Sequence, residues 1–284
     1  MHLQEYDVST QFEAQVIESQ RITPRDSADE VRDIALDVDG KLNIKVGQHV
    51  GVLAPGQKEF GQERHFRLYT VADIPRRTPE GKTRIHLCVK RCWYIDDYSG
   101  EEYRGVASHY LCDLRPGDKL TLTGPYGQAF APPPEPDATL ILIGAGTGIA
   151  PFRAFVKYLY HPAEFSGRIW LFHGGRTGLE LLYMNELQND FAQYYDRDTF
   201  EAIEALSQQP SWTNDIDWHG AITARGEEIW KLLESSKTYV YVAGLEPIRD
   251  ELDAVFSQLA GGTERWQRRK AELMAGKRWI ELLY

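Results

Sequence analysis

The sequence is short of cysteine, of long apolar runs and of positive charge, and each shortage excludes something. Only Cys88, Cys92 and Cys112 occur in 284 residues. Three thiols cannot supply the four ligands of an all-cysteine iron–sulfur cluster, and an odd number makes a poor disulfide framework. All three are expected to be small buried packing residues, and no metal site is expected. No apolar run approaches the ~20 residues of a bilayer span; the stretch from Ala138 to Ile143 is among the best. The opening MHLQEYDVSTQFEAQ has neither the basic start nor the apolar centre of a signal peptide, so the cytoplasm is the expected location. Net charge is -10, with 17 basic and 20 acidic residues in 1–130 and 15 and 22 in the remainder. Neither half has the electrostatics of a nucleic-acid binder. A hydrophobic content of 42% excludes global disorder.

What is present divides in two. Up to about residue 130 the chain reads as short strands: 12–21, 31–38, 48–54, 67–71, 83–89 and 118–123. Each is rich in β-branched or aromatic residues and bounded by Gly, Pro or charge, which predicts an antiparallel barrel or sandwich. The run APPPEPDA at 131–138 carries four prolines and reads as a stiff linker. Beyond it, strands at 139–143, 167–173, 199–205 and 238–243 alternate with helices at 150–160, 178–191, 227–234 and 246–259. That alternation predicts βαβ units around a parallel sheet. A charged helical stretch follows, then the packing-ready Trp279-Ile-Glu-Leu-Leu-Tyr284.

Three stretches carry chemistry. Gly144-Ala-Gly-Thr-Gly-Ile-Ala-Pro151 follows an apolar strand and opens a helix, the context in which glycines admit a ligand and a helix N-terminus attracts phosphate. Arg67 and Tyr69 of Arg67-Leu-Tyr-Thr70 share one strand face, so a guanidinium sits beside a flat ring. In Leu87-Cys-Val-Lys-Arg-Cys-Trp-Tyr94 and Gly105-Val-Ala-Ser108, the groups of Lys90, Ser108 and the backbone after Gly105 suit a diphosphate, and Tyr94 suits an adenine. A plainer reading makes Ser108 an N-cap.

In order, RLYT, CVKR…Y, GVAS…L, GPYG, GAGTGIAPFR, YVAGL and a terminal tyrosine resemble the plant-type ferredoxin–NADP+ reductases, from about Phe12 to Tyr284. The resemblance implies a Greek-key FAD-binding β-barrel (1–130), the linker (131–137) and a Rossmann-like NAD(P)-binding α/β domain (138–284). It implies that Arg67, Lys90 and the stretch Gly105, Val106, Ala107 and Ser108 hold FAD, with Tyr69 on the isoalloxazine, Thr70 near flavin N5 and Tyr94 on the adenine. Gly146, Thr147, Gly148, Arg176, Ser207, Gly244 and Leu245 would contact NAD(P)H. Tyr284 would cover the other flavin face, and Glu281 would relay a proton.

There are departures from the family pattern. RLYS is RLYT here, the cysteine of CGL is Ala243, and the C-terminal glutamate lies one position early, at Glu281, with Leu282 in its usual place. A Ser-Arg pair has become Ser207-Gln208, and a basic or aromatic position has become Asp217-Trp218, while Arg176 follows His173-Gly-Gly as in the bacterial branch. NADPH and NADH both stay open. The resemblance implies an enzyme that exchanges electrons between NAD(P)H and an acidic carrier such as ferredoxin or flavodoxin. The carrier would dock near Arg64, Arg265, Arg268, Arg269, Lys270, Lys277 and Arg278. A reductase component feeding an oxygenase, or a flavin-binding relay with little turnover of its own, are the alternatives.

Overall fold

The computed structural model describes residues 6–40, 42–57, 61–96, 100–161, 163–210 and 215–284. The chain forms two compact units, Met1–Ala131 with Arg153–Tyr158, and Pro132–Phe152 with Leu159–Tyr284.

The first unit is antiparallel. Its strands are β1 (Gln11–Arg21), β2 (Val31–Val38), β3 (His49–Pro55), β4 (Arg64–Thr70), β5 (Arg76–Arg77), β6 (Thr83–Lys90) and β9 (Lys119–Tyr126). They pair in the order β4-β3-β9-β1-β2-β6-β5. Alternation along each strand turns Ala14, Val16, Ile34, Leu36, Val50, Val52, Ile85, Leu87, Leu120 and Leu122 into one core. A bridge between Val71 and Leu87 brings the end of β4 back to β6 and closes the sheet into a barrel. Closure removes the unpaired edges that an open sheet would leave. Between β6 and β9 come a short hairpin, β7 (Trp93–Ile95) with β8 (Glu102–Arg104), and helix α1 (Val106–Asp113). Leu111 and Cys112 of α1 plug one part of the core.

The second unit holds five parallel strands, β10 (Thr139–Ala145), β11 (Arg168–Gly175), β12 (Phe200–Leu206), β13 (Thr238–Gly244) and β14 (Trp279–Leu283). They pair in the order β12-β11-β10-β13-β14. Residues 139–144 of β10 are all buried, as expected of a parallel strand covered on both faces. The helices are α2 (Ala150–Tyr160), α3 (Trp218–Thr223), α4 (Gly226–Glu234), α5 (Ile248–Leu259) and α6 (Thr263–Ala275). Large aromatics fill the space under α5 and α6. Trp266 stacks on Phe256 at 4.7 Å and meets Trp279 edge-on at 5.3 Å.

The helix expected over 178–191 does not form. A single 3-10 turn, Gly178–Glu180, is followed by irregular turns and a second 3-10 turn, Asp190–Tyr194. Leu181, Leu182 and Tyr183 are consecutive and all buried, which one face of a helix cannot achieve. Tyr183 adopts a left-handed φ of 62°. The Asn185 side chain accepts from the N–H of Leu187 at 3.0 Å and of Gln188 at 3.1 Å, giving the backbone a local alternative to helical bonds.

Candidate functional site

In the barrel unit, β4 presents Arg67 and Tyr69 on one face. Arg67 is exposed and donates to the Phe66 carbonyl at 3.1 Å. Among the described residues no carboxylate pairs with it, so its charge is available to an anion. Burial pushes the Tyr69 phenol up, so its ring stays neutral. Thr70 lies across from His49 in the β3–β4 register, and its hydroxyl is 2.8 Å from His49 Nδ1. Burial lowers the pKa of His49, favouring a neutral imidazole. The GPYG turn makes this possible: a Cβ on Gly127, where φ is +77°, would lie 2.7 Å from the His49 ring. Sequence reasoning did not single out His49. The only signal is its position directly opposite Thr70, which appears once the strands are paired.

The hairpin and α1 form the next part. Lys90, closing β6, pairs with Asp29 at 2.6 Å. Tyr94 on β7 stacks on Tyr103, its cross-strand neighbour, with centroids 5.4 Å apart and planes 19° apart. Both rings are exposed. Gly105, not Ser108, is the N-cap of α1. Ser108 lies on the helix's third position, donates to the Gly105 carbonyl at 3.1 Å and accepts from the Cys92 N–H at 3.1 Å, which ties the hairpin to the helix. Any Cβ on Gly105 would meet Ser108 Oγ at 2.7 Å and the Cys92 carbonyl at 3.0 Å, so this crossing needs glycine. The helix start has no side-chain cap and no acid in its first turn. Its N–H groups and dipole therefore suit a diphosphate. An unpaired arginine, an uncapped helix start and a stacked tyrosine pair together fit a flavin adenine dinucleotide. Cys88 and Cys112 are buried as expected, but Cys92 is exposed, because it sits where the chain leaves β6 for the hairpin.

In the second unit the residues expected to bind a nicotinamide dinucleotide come together at the carboxyl edge of the sheet. After β10 the chain makes a 3-10 turn, Gly146–Ile149, and enters α2 directly. Gly146 has φ +53°, and a Cβ on Gly148 would lie 2.4 Å from the Ala243 carbonyl, so the turn packs hard against the end of β13. Arg176 follows β11 and Ser207 follows β12, with the Ser207 N–H donating to the Gly175 carbonyl at 3.2 Å. Gly244 ends β13 and Leu245 follows it, exposed. Tyr284 donates its N–H to the Gly244 carbonyl at 3.1 Å and places its hydroxyl 2.6 Å from that of Thr147. This edge is where doubly wound sheets bind nucleotides.

Glu281 is committed elsewhere. It shares a face of β14 with Trp279, whose Nε1 donates to it at 2.8 Å, and it pairs with Arg249 of α5 at 2.8 Å and Lys270 of α6 at 3.1 Å. Burial alone would raise its pKa, but these three donors outweigh burial and hold the carboxyl below the ordinary glutamate value. Several of the expected docking cations are also engaged. Arg265 lies 4.9 Å above the Trp230 ring and 3.8 Å from Glu234. Arg268 and Arg269 both reach Glu272, at 3.5 and 2.9 Å, and Arg278 donates to the carbonyls of Ser235 and Thr238. Arg64 donates to Gln11 at 3.3 Å. Lys277 is exposed, with no carboxylate pairing to it among the described residues.

Residues 20–130 match the family model of the oxidoreductase FAD-binding domain, and residues 142–252 that of the oxidoreductase NAD-binding domain. Over 274 residues the chain is 34% identical to ferredoxin–NADP reductase, leaf isozyme 1, chloroplastic, of Arabidopsis thaliana, spanning 93% of this chain and 74% of that protein. The chain belongs to the ferredoxin–NADP reductase family. The leaf-type chloroplastic isozyme of Nicotiana tabacum is likewise 34% identical, over 276 residues and the same shares. The fold is also that of ferredoxin–NADP+ reductase from Plasmodium falciparum, with a TM-score of 0.72 at 20% identity, covering 99% of this chain and 98% of that one. An H286K mutant of that protein was solved in complex with 2′P-AMP. The reductase described here is accordingly an FAD-dependent oxidoreductase that exchanges electrons between NAD(P)H and a one-electron carrier. Among its described residues no helix is long and apolar enough to cross a membrane, and no cluster of side chains could hold a metal ion.

Proposed function

We propose that the one-electron carrier is ferredoxin or a similarly acidic protein. The observation that carries the reading is the gathering of Thr147, Gly148, Gly244 and Tyr284 at one sheet edge in a chain whose barrel unit keeps an unpaired Arg67 beside Tyr69. FAD, when bound, would supply the chemistry the polypeptide lacks, the exchange of a hydride for single electrons. Arg67 and the N–H groups of Val106 and Ala107 hold the diphosphate, with Ser108 fixing the helix start. Tyr69 supports the flavin ring and Tyr94 the adenine. Lys90 acts on the flavin site through its pair with Asp29. Thr70 would offer its hydroxyl to the flavin, and Tyr284 would stand where the nicotinamide of the coenzyme binds. Residues 1–130 and 138–284 are read as the two functional domains, joined by 131–137.

Carrier docking rests on the exposed cations of α6 and the turn after it, chiefly Arg268 and Lys277, with Arg64 as a second contact on the barrel. We place the reductase in the cytoplasm. The exposed thiol of Cys92 is consistent with a reducing compartment.

The test begins with anaerobic titration of the purified reductase with NADH and NADPH, reading the flavin absorbance. Bleaching by at least one coenzyme is expected; none with either would leave a flavin-binding relay. Carrier-dependent turnover should then fall as salt rises, because exposed charges are screened over about 8 Å at physiological ionic strength. Reversing Arg268 and Lys277 to Glu should raise the carrier KM and spare ferricyanide reduction. Equal loss of both activities would locate the damage at the flavin and not at the docking surface.

A further inference from the structure

The ends of β11 and β12 are poorly made for the phosphate that distinguishes NADPH from NADH. We propose that this reductase takes its hydride from NADH, and that Glu180 and Asp217 exclude NADPH. The proposal rests on the assignment of the sheet's carboxyl edge to the nicotinamide dinucleotide.

A 2′-phosphate brings up to about two negative charges and needs cationic donors that are not already satisfied. Among the described residues expected at this edge the cation is Arg176, and Glu180 holds it. Nε and Nη2 of Arg176 donate to the two carboxylate oxygens at 3.0 and 2.5 Å, and its backbone N–H donates to one of them at 3.1 Å. The pair is sheltered, with 26% and 19% of the side chains exposed, so water screens it only in part. A two-pronged guanidinium–carboxylate pair is among the strongest hydrogen-bonded geometries a protein offers. An incoming phosphate would have to displace Glu180 or sit against its charge.

The end of β12 adds a second carboxylate. Asp217 Oδ2 accepts from the Gln208 amide at 2.5 Å, and Oδ1 caps α3 through the Gly220 N–H at 2.7 Å. The cap is tight, since a Cβ on Gly220 would lie 2.4 Å from Asp217 Oδ2. Next in sequence, Trp218 packs over the end of β11, where a Cβ on Gly174 would come within 2.5 Å of its indole. Asp217 is thereby held between Gln208, which follows β12, and the start of α3, next in sequence to the indole that covers Gly174. Hydrogen bonds from Gln208 and Gly220 hold its carboxyl below the ordinary aspartate value, so it is charged at neutral pH. The family's Ser-Arg pair is thus Ser207-Gln208 here, its basic or aromatic position is Asp217-Trp218, and Arg176 is paired with Glu180. Carboxylates at such strand ends accept a ribose 2′-hydroxyl, the group that NADH keeps and NADPH has phosphorylated.

The experiment measures binding of 2′-phospho-AMP and 5′-AMP to the FAD-loaded reductase by calorimetry, and kcat/KM for NADH and NADPH. The wild type is expected to bind 2′-phospho-AMP no tighter than 5′-AMP and to favour NADH at least tenfold. Glu180→Gln, which leaves Arg176 facing a neutral amide, should improve the ratio of 2′-phospho-AMP to 5′-AMP affinity at least fivefold. Asp217→Ser, which retains a capping hydroxyl for α3, should shift the same ratio the same way, and tests the idea independently should the first variant fold poorly. Tighter binding of 2′-phospho-AMP by the wild type, a preference for NADPH, or an unchanged ratio in both variants overturns the proposal. If neither mononucleotide binds and neither coenzyme bleaches the flavin, the assignment of the edge itself falls and takes the proposal with it.

Discussion

The hydroxyls of Tyr284 and Thr147 meet at 2.6 Å, so the residue that follows β14 is latched to the glycine-rich turn that follows β10. Backbone bonds from Tyr284 to Gly244 and from Glu246 to Tyr284 hold the same residue at the end of β13. A residue that is 53% exposed is therefore fixed by its base and its tip.

Replacing Tyr284 with Ser should tighten NAD(P)H binding, lower turnover and blunt coenzyme discrimination. On the proposed role of Tyr284 the variant loses a stacked ring that nicotinamide would have to displace, a contact of about 0.5–1.5 kcal/mol beyond area burial, and tighter ground-state binding does not lower the barrier. Tyr284→Phe should keep the ring and lose only the bond to Thr147, so it should resemble the wild type in discrimination. Kd and kcat for both coenzymes in the two variants check this; if all ratios for Tyr284→Ser stay within twofold, the ring is not in the coenzyme's way.

Arg67→Ala should weaken FAD retention. A charge-assisted hydrogen bond to the diphosphate is worth roughly 1.5–3 kcal/mol, about a tenfold to hundredfold rise in the dissociation constant. Fluorescence titration of apoprotein with FAD reads the change. The same variant should bind FMN with little difference from wild type, since FMN lacks the second phosphate that Arg67 is proposed to meet.

Thr70→Val should slow flavin reduction by NAD(P)H about tenfold, equivalent to ~1.4 kcal/mol of barrier, because it keeps the shape and removes the hydroxyl that His49 orients. His49→Phe should produce a smaller loss in the same direction. Stopped-flow rates at saturating coenzyme decide the matter, and wild-type rates in Thr70→Val would remove that hydroxyl from the reaction.

Glu281→Gln should destabilise the second unit by about 1.5–3 kcal/mol, the worth of hydrogen bonds to a charged group, with little effect on the rate of flavin reduction. The folded pKa of Glu281 lies below the ordinary 4.5. The stabilisation is therefore complete above that pH and disappears as pH falls through the lowered value. The gap between wild type and variant in urea unfolding should accordingly narrow below pH 4.5. A large loss of turnover at unchanged stability would instead make Glu281 a proton carrier.

Much of this could be read from residue order. The alternation in 12–21 and 118–123 and the all-apolar Leu140–Ile143 mark antiparallel and parallel strands through periodicity alone. The glycines at 146 and 148 were legible because strand, turn and helix follow one another in sequence. What was hidden depends on partners distant in sequence. His49 acquires its meaning from strand pairing with Thr70, and Tyr103 from pairing with Tyr94. Glu281 looked like part of the reaction site until Arg249 and Lys270, from two different helices, closed on it. The stretch 178–191 misled for a local reason: its leucines are dense enough for a helix, but they are buried consecutively and not on one face.

The register of the second sheet runs unbroken from Thr139 to Gly144 against both neighbouring strands, while Arg176, Glu180, Gln208 and Asp217 all lie beyond the last paired residues of β11 and β12. The residues proposed to sort one coenzyme from another thus lie outside the paired register of the sheet. Coenzyme preference in such a protein can drift over evolutionary time by exchanges in two short loops, with no compensating change in the sheet. Lineages that feed the same flavin from different metabolic pools would then differ at these few positions and hardly anywhere else in the framework.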